Sequence, residues 1–286
     1  MMNISINQFW PALTCLLLPI LLASCATNES ISNKANDETN KAIYIIKGRQ
    51  SPVVVLQAGL GDGKEVWSEI TPNLSNDYTT FAFDRPGRAD NPPTNAPRDA
   101  CTIASEQRAL LESLNLKPPY VLVGHSMGGL YQFAFAKLYP NDVSGIVLVD
   151  PTPPNHWERM QKEASDAARI MRIAKFILFS DTDKREFDEM AQCLERLDFN
   201  HPLNVPTKIL VAGKFTGLGE EGDFENMMKH SRLQWLKLTT APKLDVVKES
   251  GHYIQKESSE DVISAIKQVV FATNQKTKFS NLEKPW

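Results

Sequence analysis

Short apolar runs recur along the chain from Ile43 onward, and between them apolar residues fall at helical spacing. Runs rich in β-branched and aromatic residues predict strands over 53–57, 79–83, 120–123, 146–149, 208–212 and 244–248. They are apolar at nearly every position rather than at alternate ones, which predicts burial on both faces. A parallel sheet covered by helices follows, an α/β architecture. Segments 103–116 and 130–139 read as crossover helices, the first with Leu110, Leu111 and Leu114 as its apolar positions. In the last predicted helix Ser258 stands three residues before Asp261, a capping arrangement, and Val262, Ile266, Val269 and Val270 share one face that should pack on the sheet. About sixty residues separate Val149 from Lys208, far more than one crossover helix needs. The excess, about 152–204, is therefore expected to be a helical lid. Within it Ile170, Met171, Ile173, Phe176, Ile177, Leu178 and Phe179 either line an acyl pocket or pin the insertion to the core.

The N-terminal segment has a different pattern. Its apolar run over 11–22 is shorter than the roughly 20 residues that cross a bilayer, and it reads as the core of a signal peptide. The run stops at Leu22-Ala23-Ser24-Cys25, which resembles the bacterial lipobox. That resemblance implies removal of residues 1–24 and a lipid on Cys25 that holds the protein on a membrane; an ordinary cut near Ala26 is the alternative. Ala26 rather than Asp follows Cys25, which by the same resemblance implies the outer membrane, facing the periplasm or the cell surface. Residues 25–41 form an expected tether, since 27–41 hold one large apolar residue, Ile31. Residues 42–286 are then one domain. Two cysteines remain in it, Cys101 and Cys193, either as a disulfide or as free thiols. A net charge of -3 without a dense basic block argues against nucleic acid as a partner.

Candidate chemistry centres on Gly124-His125-Ser126-Met127-Gly128-Gly129, which lies between a buried strand and a helix. A turn this tight requires small residues beside the serine and lifts its hydroxyl to the rim of the sheet. Here the chain resembles the α/β-hydrolase family, over about residues 53 to 271. The resemblance implies a mostly parallel central sheet flanked by helices, with Ser126 as the nucleophile. Gln57-Ala58-Gly59-Leu60-Gly61 looks like the family's oxyanion loop, with Ala58-Gly59 in place of the usual His-Gly pair. By resemblance, the Leu60 and Met127 N–H groups would face the developing oxyanion. Asp84-Arg85-Pro86-Gly87-Arg88 matches another family turn and is read as structural.

Of five histidines, His125 is expected to pack beneath the site, His156 and His201 lie in or beside the insertion, and His230 falls in a predicted helix. His252, in Ser250-Gly251-His252-Tyr253, follows the final strand, and the family's order of serine first and histidine last implies that it is the base. Most relatives place the acid after the strand over 208–212, where Gly213-Lys214-Phe215-Thr216 offers no carboxylate. Asp150, in Val149-Asp150-Pro151, resembles the acid of lipases that carry it one strand earlier. Asp223, close behind Glu220 and Glu221, is the alternative.

The implied function is that of a serine esterase, carboxylesterase- or lipase-like, acting on a small acyl ester through an acyl-serine intermediate. No cofactor or metal is implied, because no cluster of His and carboxylates has ligand spacing. Ser126 separates the chain from the family's haloalkane dehalogenases and epoxide hydrolases, which attack with a carboxylate. A lipid-tethered binding protein without turnover stands as the rival, and a peptidase or thioesterase as the rival among enzymes.

Overall fold

Side chains along each apolar run divide alternately between two cores, so the sheet must be covered on both faces. The computed structural model describes residues 38–41, 43–215 and 222–282, with backbone alone for 38–41 and 276–282. Its strands are β1 (Glu38–Lys41), β2 (Tyr44–Lys47), β3 (Val53–Gln57), β4 (Thr79–Phe83), β5 (Tyr120–His125), β6 (Val143–Val149), β7 (Thr207–Ala212) and β8 (Asp245–Val247). They form one sheet in the order β1-β2-β4-β3-β5-β6-β7-β8. β1 and β2 pair antiparallel at one edge, and β3 to β8 run parallel.

A short α1 (Thr71–Leu74) follows β3, and α2 (Ala100–Ser113) and α3 (Met127–Leu138) flank β5 in sequence. Val53, Val55, Leu122, Ile146, Leu148 and Ile209 face α2 and α3 in one core. Their alternates Val54, Leu56, Val121, Val123, Val147 and Leu210 face the other way. Between β6 and β7 stand α4 (His156–Glu163), α5 (Ser165–Leu178) and α6 (Asp181–Glu189); α7 (Asp223–Ser231), α8 (Gln234–Leu238), α9 (Ile254–Glu257) and α10 (Ser259–Leu282) complete the chain. On α10, Val262, Ile266, Val269 and Val270 are buried against the second core, on the face their spacing predicts.

Four local expectations change. α2 begins earlier because Asp99 caps it, its Oδ1 accepting from the Cys101 and Thr102 N–H groups at 3.0 and 3.2 Å. α3 starts directly at Met127, with no loop after Ser126. The Asp261 N–H goes to the Ser258 carbonyl at 3.1 Å rather than to its hydroxyl, so Ser258 is not a side-chain cap. Residues 38–41, placed in the tether, pair with β2. Strand pairing uses main-chain groups, so a polar sequence can supply it. Residues 1–24, Cys25 and the tether up to residue 37 lie outside the described residues. Among those described, no helix is long and apolar enough to cross a membrane.

The insertion is fastened to the rest at several points. Met160, Ala164 and Ala168 pack with Met227 of α7, while within the insertion Trp157 meets Phe187 edge to face at 5.0 Å between centroids. Cys101 and Cys193 form a disulfide that joins the start of α2 to the segment after α6. Of the apolar run, Met171 of α5 and Phe179 just after it line a cavity, whereas Phe176, Ile177 and Leu178, 82%, 68% and 75% exposed, neither line it nor pin the insertion to the core.

The disulfide closes a loop of 92 residues, and such cross-links restrict the unfolded chain. Replacing both cysteines, Cys101→Ser with Cys193→Ser, should lower stability by about 2–4 kcal/mol. Urea unfolding of the two proteins, with the double variant indifferent to reductant, checks this.

Candidate active site

β5 ends at His125, and the next residue turns the chain sharply into α3. Ser126 has φ 53° and ψ -124°, a conformation that a residue with a side chain rarely adopts. Three main-chain bonds of 3.0 Å hold it there: the Ser126 N–H donates to the Val149 carbonyl, and its carbonyl accepts from the Gly129 and Thr152 N–H groups. The bend also needs close backbone approach. A Cβ on Gly124 would come within 2.4 Å of the Gly128 carbonyl oxygen, and one on Gly128 within 2.3 Å of the Gln57 carbonyl oxygen. The small residues flanking the serine are thus dictated by the close approach of α3 to β5 at Gly124 and to the end of β3 at Gly128.

At the end of the neighbouring strand β6, Asp150 repeats the pattern with φ 41°. Its N–H donates to the Leu210 carbonyl at 2.8 Å, and its buried side chain points across to the end of β7. Oδ1 accepts from the Ala212 N–H at 3.1 Å, and Oδ2 lies 2.7 Å from His252 Nδ1. Asp150 therefore meets His252. Asp223 is exposed in the first turn of α7 and does not, while Glu220 and Glu221 lie outside the described residues.

His252 sits in the loop between β8 and α9. His125 Nε2–H donates to its carbonyl at 2.9 Å, and the neighbouring Gly251 N–H donates to Glu257 at 2.7 Å. The His252 side chain remains 47% exposed. Partial burial pushes its pKa down, but the hydrogen bond and charge of Asp150 push harder, and the net shift is upward. Burial alone would raise Asp150; the hydrogen bond and charge of His252, the Ala212 N–H and the Arg232 charge hold it below the usual carboxylate range. His125, expected beneath the site, is buried with its ring 4.6 Å from that of His252, and burial, then His252, push it down to about 3.

Ser126, Asp150 and His252 all line one cavity of about 340 Å³, with Leu60, Met127 and Thr152. Among the described residues no hydrogen bond joins Ser126 to His252; the serine hydroxyl lies 3.4 Å from Thr152 Oγ1. The Leu60 and Met127 N–H groups have no intramolecular acceptor among the described residues. Met127 opens α3, so its N–H carries the partial positive charge of a helix start. The Asp99, Cys101 and Cys193 ligand atoms cluster within 4.8 Å, but the two sulfurs are bonded to each other.

The sequence reading missed one further residue with a bearing on the site. Arg85, read as part of a structural turn, is buried and sends its guanidinium to the oxyanion-like loop. Nη1 donates to the Ala58 carbonyl and Nη2 to the Gly59 carbonyl, both at 2.7 Å. These are the two residues before Leu60. On the other side Nε and Nη2 grip Glu186 of α6 at 2.9 and 2.8 Å, a two-pronged ion pair. Burial would raise the Glu186 carboxyl, but the Arg85 charge and hydrogen bonds hold it low. The loop and the insertion thus share one buried cation. The only local hint is a charged residue placed within a turn directly after an apolar strand.

Strand order, bend and facing side chains define an α/β hydrolase arrangement, and the sequence comparison agrees. A family profile described as alpha/beta hydrolase fold matches residues 52–268, and the chain belongs to this family. Uncharacterized protein YqjL of Bacillus subtilis (strain 168) is 27% identical over 228 residues, which take in 77% of this chain and 84% of YqjL. Monoacylglycerol lipase ABHD6 of Mus musculus is 27% identical over 182 residues, 60% of this chain and 52% of that protein, so the match spans about half its length. Among solved structures, Epoxide hydrolase CorEH superposes with a TM-score of 0.60 at 18% identity, covering 81% of this chain and 97% of its own. At that identity the likeness shows the fold alone.

Two outcomes follow for the isolated protein. Arg85→Met leaves Glu186 with only the buried Arg98 guanidinium, 3.8 Å away, and should cost up to about 3–5 kcal/mol, and adding Glu186→Leu should recover part of the loss; denaturant midpoints of the three proteins measure it. In an NMR titration His252 should titrate above 6.5 and move to lower pH in Asp150→Asn, whereas His125 stays neutral until about pH 3. The sign follows from the carboxylate, which stabilises imidazolium.

Proposed function

We propose that the chain is a serine hydrolase of acyl esters. The observation that carries this reading is the 2.7 Å pair of Asp150 and His252, which opens onto the same cavity as Ser126. In this reading His252 Nε2 takes the Ser126 proton as Oγ attacks the ester carbonyl carbon. The carbonyl oxygen becomes an oxyanion facing the Leu60 and Met127 N–H groups. The carbon–oxygen bond to the alcohol then breaks, and imidazolium returns its proton to the departing alkoxide. A water, deprotonated by the same imidazole, attacks the acyl-serine; the bond to Oγ breaks, imidazolium returns the proton to Ser126, and the acid leaves. Asp150 holds the Nδ1–H tautomer and stabilises the transient imidazolium.

Apolar cavity walls, with Met160, Met171, Phe187 and Phe224 among them, suit an acyl chain. The relative ABHD6 bears the name monoacylglycerol lipase, which agrees with an ester substrate. We also infer a lipid anchor at Cys25 and a place in the cell envelope, outer membrane included. Its supports are the lipobox-like Leu22-Ala23-Ser24-Cys25 and the Cys101–Cys193 disulfide, a bond that persists in oxidising compartments. A second reading, a ligand-binding protein without turnover, draws on the Ser126 hydroxyl lying nearest Thr152 rather than bonded to His252. Contacts between catalytic groups often tighten only with substrate bound.

A fluorophosphonate probe separates the two. The esterase reading expects a label on Ser126 that Ser126→Ala abolishes, and His252→Ala should lower kcat on a p-nitrophenyl ester by at least about 10⁴-fold. A folded wild-type protein that takes no label and turns over no ester favours the binder.

A further inference from the structure

His156, the first residue of α4, lines the same cavity as Ser126 and Thr152. Its imidazole has no hydrogen-bond partner among the described residues; Nδ1 is shut off from solvent, which leaves Nε2 as the nitrogen that a molecule in the cavity can reach. Elsewhere in the site the ionised groups are matched: Asp150 holds His252, and the Lys214 ammonium lies 2.8 Å from Glu249. The ring is also held in place. Phe224 meets it edge to face, 6.3 Å between centroids and 82° between planes. Pro151, Pro153 and Pro154 restrict the backbone that leads to it. Burial pushes the imidazole down to about 4, and His252 adds to that, so the ring is neutral near pH 7.

A neutral imidazole carries one donor nitrogen and one acceptor nitrogen. An unpaired polar group set in an apolar wall is costly unless a ligand completes it. A charged substrate group would have to shed its water without gaining a counter-charge there. A hydroxyl both donates and accepts, and needs no counter-charge.

We propose that His156 is a specificity-determining residue that hydrogen-bonds a hydroxyl on the substrate, so that the preferred substrates are hydroxyl-bearing acyl esters. The proposal rests on the reading of Ser126 as the nucleophile. The hydroxyl belongs either to the alcohol limb of the ester or to the acyl limb.

Two matched pairs of substrates test it with the purified full chain. One pair is butyl hexanoate and the hexanoate monoester of butanediol; the other is methyl hexanoate and its terminally hydroxylated analogue. Wild type should favour the hydroxylated member of one pair in kcat/KM, by on the order of ten-fold or more, and that pair identifies the limb. In His156→Phe the ratio should fall to within about two-fold of unity, and His156→Gln, which keeps a donor and an acceptor, should restore part of it. His156→Met, shaped like the neighbouring methionines, serves if the phenylalanine variant does not fold. Turnover without a hydroxyl preference in either pair, or a preference that survives His156→Phe, overturns this proposal alone. No turnover of any ester, with no fluorophosphonate label on Ser126, overturns the esterase reading and this one together.

Discussion

The bend at Ser126 sets a strand, a helix and the end of the adjacent strand in fixed relation, and every other part of the site takes its position from it. A non-glycine residue at this φ and ψ stores about 1–3 kcal/mol of strain and persists only where its surroundings over-determine it. Here they do. The main-chain bonds from Ser126 to Val149, Gly129 and Thr152 leave the turn no relaxed alternative, and Gly124 and Gly128 let α3 pack close to β5 and β3 respectively. Asp150 turns at the corresponding point one strand over, again with positive φ, so two adjacent strand ends present side chains at the same rim.

Around that rim the insertion is part of the structure rather than an appendage. One guanidinium, Arg85, satisfies two carbonyls of the loop before Leu60 and a carboxylate of α6 at once. A buried charge matched in this way adds little net stability, but removing Glu186 would leave the Arg85 guanidinium without a counter-charge, and removing Arg85 would leave Glu186 with Arg98 alone. The disulfide after α6 and the methionine contacts between α4 and α7 fasten the same insertion at separate points. The cavity therefore has walls drawn from both the sheet end and the insertion.

Much of this fold was legible in the sequence because burial on both faces removes polar residues from a strand. β3, β4, β5, β6 and β7 announce themselves in that way. β1 does not, since an edge strand can pair through its main chain with polar side chains such as Glu38 and Lys41. The bend at Ser126 was readable from the small residues that a tight turn demands, and the placing of His252 beside the same cavity from its position after the last strand. Asp150 stands ahead of Asp223 by its likeness to the lipase acid, but its contact with His252 needed three dimensions, because what matters is which carboxylate faces Nδ1 across the end of β7. The turn around Arg85 reads as structural, as its contacts bear out, but its long-range partners were not legible, for the same reason. Its partners lie 26, 27 and 101 residues away, and no short-range pattern encodes such contacts.

The strand order has a consequence for how the protein is made. β3, β5 and β6 can associate while the chain is still growing, and Ser126 and Asp150 come with them. The imidazole cannot, because β8 and the loop behind it are synthesised after all seven other strands. Until that last strand adds to β7, the nascent chain holds the Ser126 hydroxyl without the imidazole that shares its cavity, and the buried Asp150 carboxylate without its hydrogen-bond partner.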